Sequence, residues 1–158
     1  MKCFIVVVLT MLFVETGISM ADDFKVTHDD FKQVTNIVSN RISDHDLGFI
    51  IDITKHDDKS ESNILIILVS TTTDWKYLSC HEVDYLVDHK PTKYITLYNN
   101  SVGEGYVIED FAICLTIAQL KELSNSKTIE YEICNDKFSF EPNNYKFIQE
   151  AYKLYLEK

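Results

Sequence analysis

The spacing of apolar and polar residues predicts a helix near the start of the folded part of the chain. Its apolar positions recur at three- and four-residue intervals: Phe31, Val34, Ile37, Val38 and Ile42. Polar side chains fill most positions between them, which is typical of an amphipathic helix of about four turns. Thr27 and Asp30 precede the apolar run in the order of a capping box, and they set the predicted start of the helix.

The middle of the chain consists of short runs rich in β-branched and aromatic residues, which favour strands. We expect these strands at residues 48–54, 63–70, around Trp75, 83–87, 93–97, 106–115, 128–133 and 138–140. The runs 83–87 and 93–97 flank a turn at Asp88-His89, so they predict a β-hairpin in the middle of an antiparallel sheet. Residues 98–105 contain two glycines and predict a loop.

Two further helices are predicted later in the chain. Thr116 is a suitable cap for a short helix that ends near residue 123. Pro142 opens a final helix, because the first turn of a helix tolerates its missing N–H group. The pattern therefore predicts an α+β fold: a mainly antiparallel β-sheet with an N-terminal helix, a short helix between late strands and a C-terminal helix.

The first 21 residues are typical of a secretory signal peptide. Lys2 provides a positive charge, residues 3–14 are apolar apart from Thr10, and Ser19 and Ala21 suit a cleavage site. A helical membrane span needs about 20 apolar residues, so this run is too short for one; an uncleaved signal anchor is the weaker alternative. We expect a secreted or periplasmic protein whose mature part, residues 22–158, is a single domain.

The chain carries 25 acidic and 15 basic residues, for a formal net charge of −10. The predicted signal peptide contains one lysine and one glutamate, so its removal leaves the net charge unchanged. Negative charge of this size disfavours contact with nucleic-acid phosphates and with anionic lipid surfaces. We expect no nucleic-acid partner and no membrane association after cleavage, whereas a basic protein or peptide partner is compatible with the charge.

Three cysteines follow the predicted signal peptide, and an oxidising compartment permits one disulfide among them. Strand alternation places Cys114 on one face with Ala112, as a small buried residue, whereas Cys134 shares a face with Glu132 and lies nearer to solvent. A bond between Cys80 and Cys134 is the pairing that this pattern favours. The absence of any bond is the alternative.

Cys80-His81 is the local pair that most suggests chemistry, because a thiol beside an imidazole can form a nucleophile or a metal site. Neighbouring residues on a strand point to opposite faces, however, so these two side chains are not expected to meet. The chain contains no phosphate loop, dinucleotide fingerprint or nucleophile elbow. We therefore expect no catalytic residue and no enzyme activity.

Three clusters combine histidine with aspartate, at residues 28–30, 44–46 and 56–58. Imidazole and carboxylate groups bind zinc and other transition ions. The spacings of known zinc motifs, such as HExxH and CxxC, are missing from the sequence. Each cluster also lies at the predicted end of an element, where Asp and His are ordinary capping and turn residues. We expect no metal site and no cofactor.

Trp75, Tyr77 and His81 are the candidate binding residues. Trp75 and Tyr77 fall on one face of the predicted strand, and an exposed aromatic strip of this kind can bind a protein, a peptide or a sugar. Packing of the two rings in the core is the plainer interpretation.

Acidic residues occur in pairs at positions 109 and 110 and at positions 130 and 132. Paired carboxylates can act as a general acid and a general base when they lie close together and have shifted pKa values. Nothing in the sequence brings these pairs together. We therefore expect both pairs to lie on solvated strand faces.

From residue 74 onward the chain resembles small exported bacterial proteins of unknown function. Three segments carry the resemblance: DWKYLSCHEVDYLVDHKP, GEGYVIEDFAICLTIAQLKEL and KTIEYEICNDKFSF. The resemblance covers about half of the chain and implies an exported bacterial domain, without an activity. Together with the charge and the missing catalytic motifs, it leads us to expect a non-enzymatic binding protein, which is inhibitor- or immunity-like in one version. The alternative is a small hydrolase or thiol enzyme that uses Cys80 or His81.

Overall fold

The computed structural model describes residues 23–40, 42–44, 47–57 and 62–157, without the side chains of residues 42–44. Within these residues the chain forms an α+β fold of two antiparallel sheets and two helices. In chain order the elements are β1 (Phe24–Asp29), β2 (Val34–Ser39), β3 (Ile42–Asp44), β4 (Leu47–His56), β5 (Ser62–Thr72), β6 (Val83–Val87), β7 (Lys90–Thr92), β8 (Ile95–Gly103), β9 (Tyr106–Leu115), α1 (Ile117–Asn125), β10 (Ile129–Ile133), β11 (Asp136–Ser139) and α2 (Pro142–Leu156). The predicted signal peptide lies outside the described residues.

The larger sheet has seven strands in the order β1-β2-β4-β5-β9-β8, with β3 paired to β4. Strands β4 and β5 lie near its centre and carry runs of β-branched residues. Their antiparallel register places Ile51 opposite Ile66 and Ile53 opposite Ile64. All four side chains are buried, and cross-strand contacts of this kind stabilise a sheet.

The smaller sheet has four strands in the order β11-β10-β6-β7. Its buried face carries Tyr85 and Val87 from β6 and Ile129, Tyr131 and Ile133 from β10. One hydrophobic cluster joins these side chains to the larger sheet and to both helices. The core therefore lies where the two sheets and the helices meet.

Several elements lie where the sequence predicts them. Strands β4, β5, β9 and β10 cover predicted strands, and α1 and α2 are the two predicted later helices. Thr116 caps α1 in a capping box with Gln119, and Pro142 lies in the first turn of α2. Among the described residues, no helix is long and apolar enough to cross a membrane.

The predicted N-terminal helix is not found where the structure describes its residues. Strands β1 and β2 form an antiparallel hairpin there, and β2 also pairs with β4. The two strands are rich in β-branched residues: Val26, Thr27, Val34, Thr35, Ile37 and Val38. Pairing with β4 and this composition outweigh the helical spacing. The carboxylate of Asp29 accepts hydrogen bonds from the main-chain N–H groups of Phe31 and Lys32, so it stabilises a turn and not a helix start.

The predicted hairpin at residues 83–97 is present in a shorter form. Strand β6 turns at Asp88-His89 into β7, and the run 93–97 leads instead into β8 of the larger sheet. Both turn residues have positive φ, 48° and 63°, as the favoured two-residue hairpin turn requires. The Asp88 carboxylate accepts hydrogen bonds from the N–H groups of Lys127 and Thr128 at 2.8 and 3.0 Å, which fixes the turn against the segment before β10.

Two more segments differ from the prediction. Residues 73–82 contain no strand, although one was expected around Trp75. Residues 98–103, expected in a loop, continue β8, and a turn with Gly105 at φ 79° joins it to β9. The polar residues of this segment are typical of a loop. Because the segment pairs with β9, they belong instead to an edge strand.

Candidate functional site

Residues 73–82 connect β5 to β6 without helix or strand, and we call them the anchored loop. Ordered connections of this length in compact domains are frequently functional. Three attachments hold the anchored loop to the body of the protein: the carboxylate of Glu109, the side chain of Tyr77 and a disulfide at Cys80.

Glu109 holds the first part of the anchored loop from inside the protein. Its side chain is fully buried, with 0% exposure. One carboxylate oxygen accepts a hydrogen bond from the main-chain N–H of Lys76 at 2.7 Å. The other oxygen accepts one from the N–H of Tyr77 at 2.9 Å and one from the Tyr98 hydroxyl at 2.8 Å. Three donors therefore replace the water that the carboxylate loses on burial.

The burial of Glu109 corrects the expectation of a solvated strand face at position 109. Strand alternation puts Glu109 on the same face as Phe111 and Ile113, which are core residues. Tyr98 lies nearby on β8, where burial and the hydrogen bond to Glu109 raise the pKa of Tyr98 to about 12. The Tyr98 hydroxyl therefore stays protonated and donates. The sequence did contain a signal for this burial, because Glu109 alternates with the apolar residues Phe111 and Ile113 and therefore shares their face of the strand.

Tyr77 anchors the middle of the loop. Its buried ring packs edge-on against Phe111, with the ring centres 5.4 Å apart. Its hydroxyl donates to Asp136 Oδ2 at 3.0 Å, and Lys76 Nζ lies 3.1 Å from the same oxygen. The hydrogen bond from Lys76 holds the pKa of Asp136 below its usual value, and burial raises the pKa of Tyr77 to about 12. Tyr77 therefore does not share an exposed strip with Trp75; its role is attachment.

A disulfide fixes the end of the anchored loop. Cys80 and Cys134 are bonded, with their Cα atoms 6.0 Å apart, and this is the pairing that the sequence favoured. The main chain is tied at the same place, because the N–H of Cys134 donates to the carbonyl of Glu82 at 3.1 Å. In this form Cys80 carries no thiol, so it is not available as a nucleophile. Cys114 is buried on β9, as its position beside Ala112 predicts.

The anchored loop exposes Trp75, Leu78 and His81. The side chains of Trp75 and Leu78 are 39% and 50% exposed. The His81 ring stacks on the ring of Tyr98, with centres 3.9 Å apart and planes at 15°. Its Nε2 atom lies 3.0 Å from the carbonyl oxygen of Leu78. Exposed aromatic and aliphatic side chains on a fixed loop are typical of a protein contact surface.

These contacts limit what the side chains of the anchored loop and its neighbours can do chemically. The sulfur of Cys80 is oxidised, and the buried carboxylate of Glu109 has three protein donors around it. A group that never meets solvent cannot reach a substrate without movement of the loop. His81, which is exposed, contacts an aromatic ring and a carbonyl oxygen, and neither of these is a nucleophile that it could activate.

Two of the three His/Asp clusters come together in the structure. His28 Nε2 lies 3.2 Å from Asp30 Oδ1 and 3.8 Å from Asp57 Oδ2, and His28 Nδ1 lies 3.1 Å from Thr35 Oγ1. Among the side chains that the structure describes, no group of three or more metal-ligating residues could hold a metal ion. The contacts of His28 with Asp30 and Asp57 lie on the surface, beside the β1–β2 turn. The cluster at residues 44–46 lies outside the described side chains.

The outer face of the smaller sheet forms an open groove of ≈ 520 Å³. Strand alternation places Asp84, Leu86, Glu130 and Glu132 on this face, opposite to the buried tyrosines of the same strands. Asp84 and Glu132 lie directly across from each other on β6 and β10, and Lys137 Nζ lies 3.6 Å from Glu132. The groove is a second candidate surface, and it combines apolar side chains with carboxylates.

Comparisons of the chain with known proteins identify no relative. No protein-family model matches the chain, and searches of curated proteins and of solved structures find no match.

Proposed function

We propose that this protein is an exported, non-enzymatic binding protein that contacts a protein or peptide partner through the anchored loop. An inhibitor or immunity-type protein that blocks its partner is one version of this role. The observation that supports the proposal is the fixation of residues 73–82 by Glu109, by Tyr77 and by the Cys80–Cys134 disulfide, while Trp75 and Leu78 face solvent.

Fixation of the loop favours binding because a flexible loop loses conformational entropy when it is ordered at an interface. A loop that is already held in one conformation avoids most of this cost. Tryptophan is strongly enriched among the residues that contribute most to binding free energy, and it acts best beside apolar neighbours that exclude water. The anchored loop exposes a tryptophan, Trp75, and an apolar residue three positions later, Leu78.

The charge of the protein favours a basic partner surface. The formal net charge is −10, and the anchored loop itself carries exposed Asp74 and Glu82. Complementary charges accelerate the encounter between two proteins and select against acidic competitors. Binding through this surface should therefore weaken as the salt concentration rises.

A capture experiment with three proteins tests the proposal. The wild type, the double variant Trp75→Ala/Leu78→Ala and the control Phe31→Ala are immobilised and incubated with an extract of the compartment that receives the exported protein. Phe31 is 101% exposed in the β1–β2 turn, so the control removes an exposed aromatic ring far along the chain from the loop. We expect a partner that the wild type and the control retain and that the double variant binds roughly 30-fold or more weakly.

Two results would count against the proposal. A partner retained equally by all three proteins would show that the contact lies elsewhere. Failure to capture any partner, together with turnover in a broad hydrolase screen, would favour an enzyme. Labelling of Cys80 by iodoacetamide in the unreduced protein at neutral pH would favour the thiol-enzyme alternative, because a disulfide sulfur does not react with this reagent.

A further inference from the structure

Strand β8 forms an open edge of the larger sheet. It pairs with β9 over its whole length, from Ile95 to Gly103, and among the described residues no strand lies on its other side. The outward main-chain N–H and C=O groups of an edge strand have no ladder partner. An edge of this length is a template on which another strand can pair.

The other strands at the ends of the two sheets have features that hinder such pairing. Strand β1 contains Lys25 and Asp29, the three-residue β7 contains Lys90 and Pro91, and the four-residue β11 contains Lys137. Short length, charge and proline all protect natural edge strands. Strand β8, with the sequence ITLYNNSVG, has neither a charged residue nor a proline.

We propose that two copies of this chain pair antiparallel along β8, around a two-fold axis at Asn99, so that their larger sheets join into one continuous sheet. In this register Asn99 lies opposite Asn99 of the second copy, and every residue of β8 has a partner. The contact is self-complementary and closes after two copies, which is the commonest symmetry of soluble oligomers.

The proposed register gives partners to three exposed apolar side chains. Ile95, Val102 and Tyr106 are 50%, 72% and 43% exposed. The ring of Tyr106 lies across Gly103, because a Cβ atom added to Gly103 would fall 2.2 Å from Tyr106 Cζ. Ile95 of the second copy, opposite Gly103, would meet that ring. Val102 would lie opposite Thr96 of the second copy, and β-branched pairs of this kind stabilise adjacent strands.

Charge favours this edge as the place where two copies meet. With a formal net charge of −10, two copies repel each other over most approaches. Pairing along β8 brings together nine residues without a single charge. The remaining long-range repulsion is screened by salt, so dimerisation should strengthen as the ionic strength rises from about 0.01 M to about 0.1 M, where the Debye length falls from ~30 Å to ~10 Å.

The oligomeric state tests the proposal. Mass is measured by light scattering or sedimentation over a concentration series, for the wild type, for Val102→Lys and for Val26→Lys. Val26 is 39% exposed on β1, so the control replaces an exposed valine by lysine on the other edge of the same sheet. We expect dimers for the wild type and for Val26→Lys, and at least roughly ten-fold weaker dimerisation for Val102→Lys, because two lysines then enter the paired edge.

Cross-linking tests the register. Residues directly opposite in an antiparallel pair have Cα atoms about 4.5–5.5 Å apart, which a disulfide can span. Asn99→Cys should therefore form a covalent dimer under mild oxidation. The two copies of Ser101→Cys would lie about 14 Å apart along the strands, so this control should not. A wild type that stays monomeric, a dimer that Val102→Lys leaves intact, or equal cross-linking of both cysteine variants would overturn the proposal.

Discussion

The central strands of the larger sheet and the anchored loop are held in place by different interactions. Strands β4, β5 and β9 are fixed by many buried apolar side chains that pack in one cluster. Within the anchored loop only Tyr77 is buried. Its position otherwise depends on a few specific attachments: the carboxylates of Glu109 and Asp136 and the Cys80–Cys134 bond.

From this difference we expect that core side chains mainly determine the stability of the fold and that the attachments mainly determine the position of the loop. A core side chain contacts many others, so its loss weakens the whole cooperative unit. The loss of a polar or disulfide attachment should mainly free the loop, because within the loop only Tyr77 packs in the core. The following substitutions test this distinction, from the largest expected effect to the smallest.

The largest effect is expected from Phe111→Ala. Phe111 is fully buried on β9, and the rings of Tyr77 and Tyr98 pack against it with centres 5.4 and 5.2 Å away. Truncating a buried phenylalanine costs about 3–5 kcal/mol of the free energy of unfolding. Urea denaturation should show this loss in one global transition. Phe31→Ala, which removes an exposed ring, should change the free energy by less than about 0.5 kcal/mol; equal losses for the two variants would contradict the assignment of the core.

Removal of the disulfide should have the next largest effect. Cys80 and Cys134 are separated by 54 positions in sequence, and closure of a loop of this size in the unfolded chain is worth about 4 kcal/mol in the chain-entropy model. Since native strain and residual structure reduce this value, we expect Cys80→Ser/Cys134→Ser to lose about 2–4 kcal/mol. Amide exchange should also accelerate at residues 73–82. Unchanged exchange there would show that the other attachments are sufficient to hold the loop.

Glu109→Gln should release the loop at a smaller cost to the fold. The amide keeps the size of the side chain but has only one oxygen to accept hydrogen bonds from the N–H groups of Lys76 and Tyr77 and from the Tyr98 hydroxyl. Its NH₂ group takes the place of the other oxygen, so at least one N–H donor loses its acceptor. Unpaired buried donors cost about 1–3 kcal/mol. We expect faster amide exchange at positions 76 and 77 and a change in Trp75 fluorescence. Glu104→Gln, at the exposed β8–β9 turn, removes the same charge and should change neither measurement.

The parts of the fold that the sequence predicts correctly are those where composition and position agree. Residues 64–69 form an unbroken apolar run, and they lie in a central strand. Thr116 and Pro142 mark helix starts through local chemistry alone. Residues 31–42 fit both a helical spacing and a β-branched strand pattern, and the choice between them depends on pairing with β4. That pairing is not visible within a short window of sequence.

The candidate site was predicted in part. Trp75, His81 and the two bonded cysteines were recognisable from residue type, whereas the role of Glu109 depends on contacts with a loop more than 30 positions earlier in the chain. The expected strand put Trp75 and Tyr77 on one face, with core packing as the plainer interpretation; Tyr77 does pack in the core, whereas Trp75 is exposed. Without the strand, the chain can turn so that Tyr77 points inward while Trp75 remains exposed. Contacts between distant segments decide such orientations.

The smallest effect is expected at Asp52. Like Glu109, Asp52 is a carboxylate of the larger sheet, but its surroundings differ from those of Glu109. It lies on β4 between Val38 and Leu65 of the neighbouring strands, and burial raises its pKa above the usual 3.8. A raised carboxyl pKa means that the folded state holds its proton more tightly than the unfolded state does. The contribution of Asp52 to the free energy of unfolding is therefore greatest below the unfolded pKa and is lost as the pH rises through the folded pKa.

Asp52→Asn should remove this loss of stability. We expect the variant to match the wild type in urea denaturation at about pH 3, where both side chains are neutral, and to become the more stable protein as the pH approaches 7. Asp74→Asn removes the same charge from an exposed position of the anchored loop and should stay within about 0.5 kcal/mol of the wild type at both values. If the curves of Asp52→Asn and the wild type ran parallel over this range, desolvation of Asp52 would not limit the stability of the larger sheet. The contrast with Glu109, whose three donors compensate for complete burial, would then lose its physical basis.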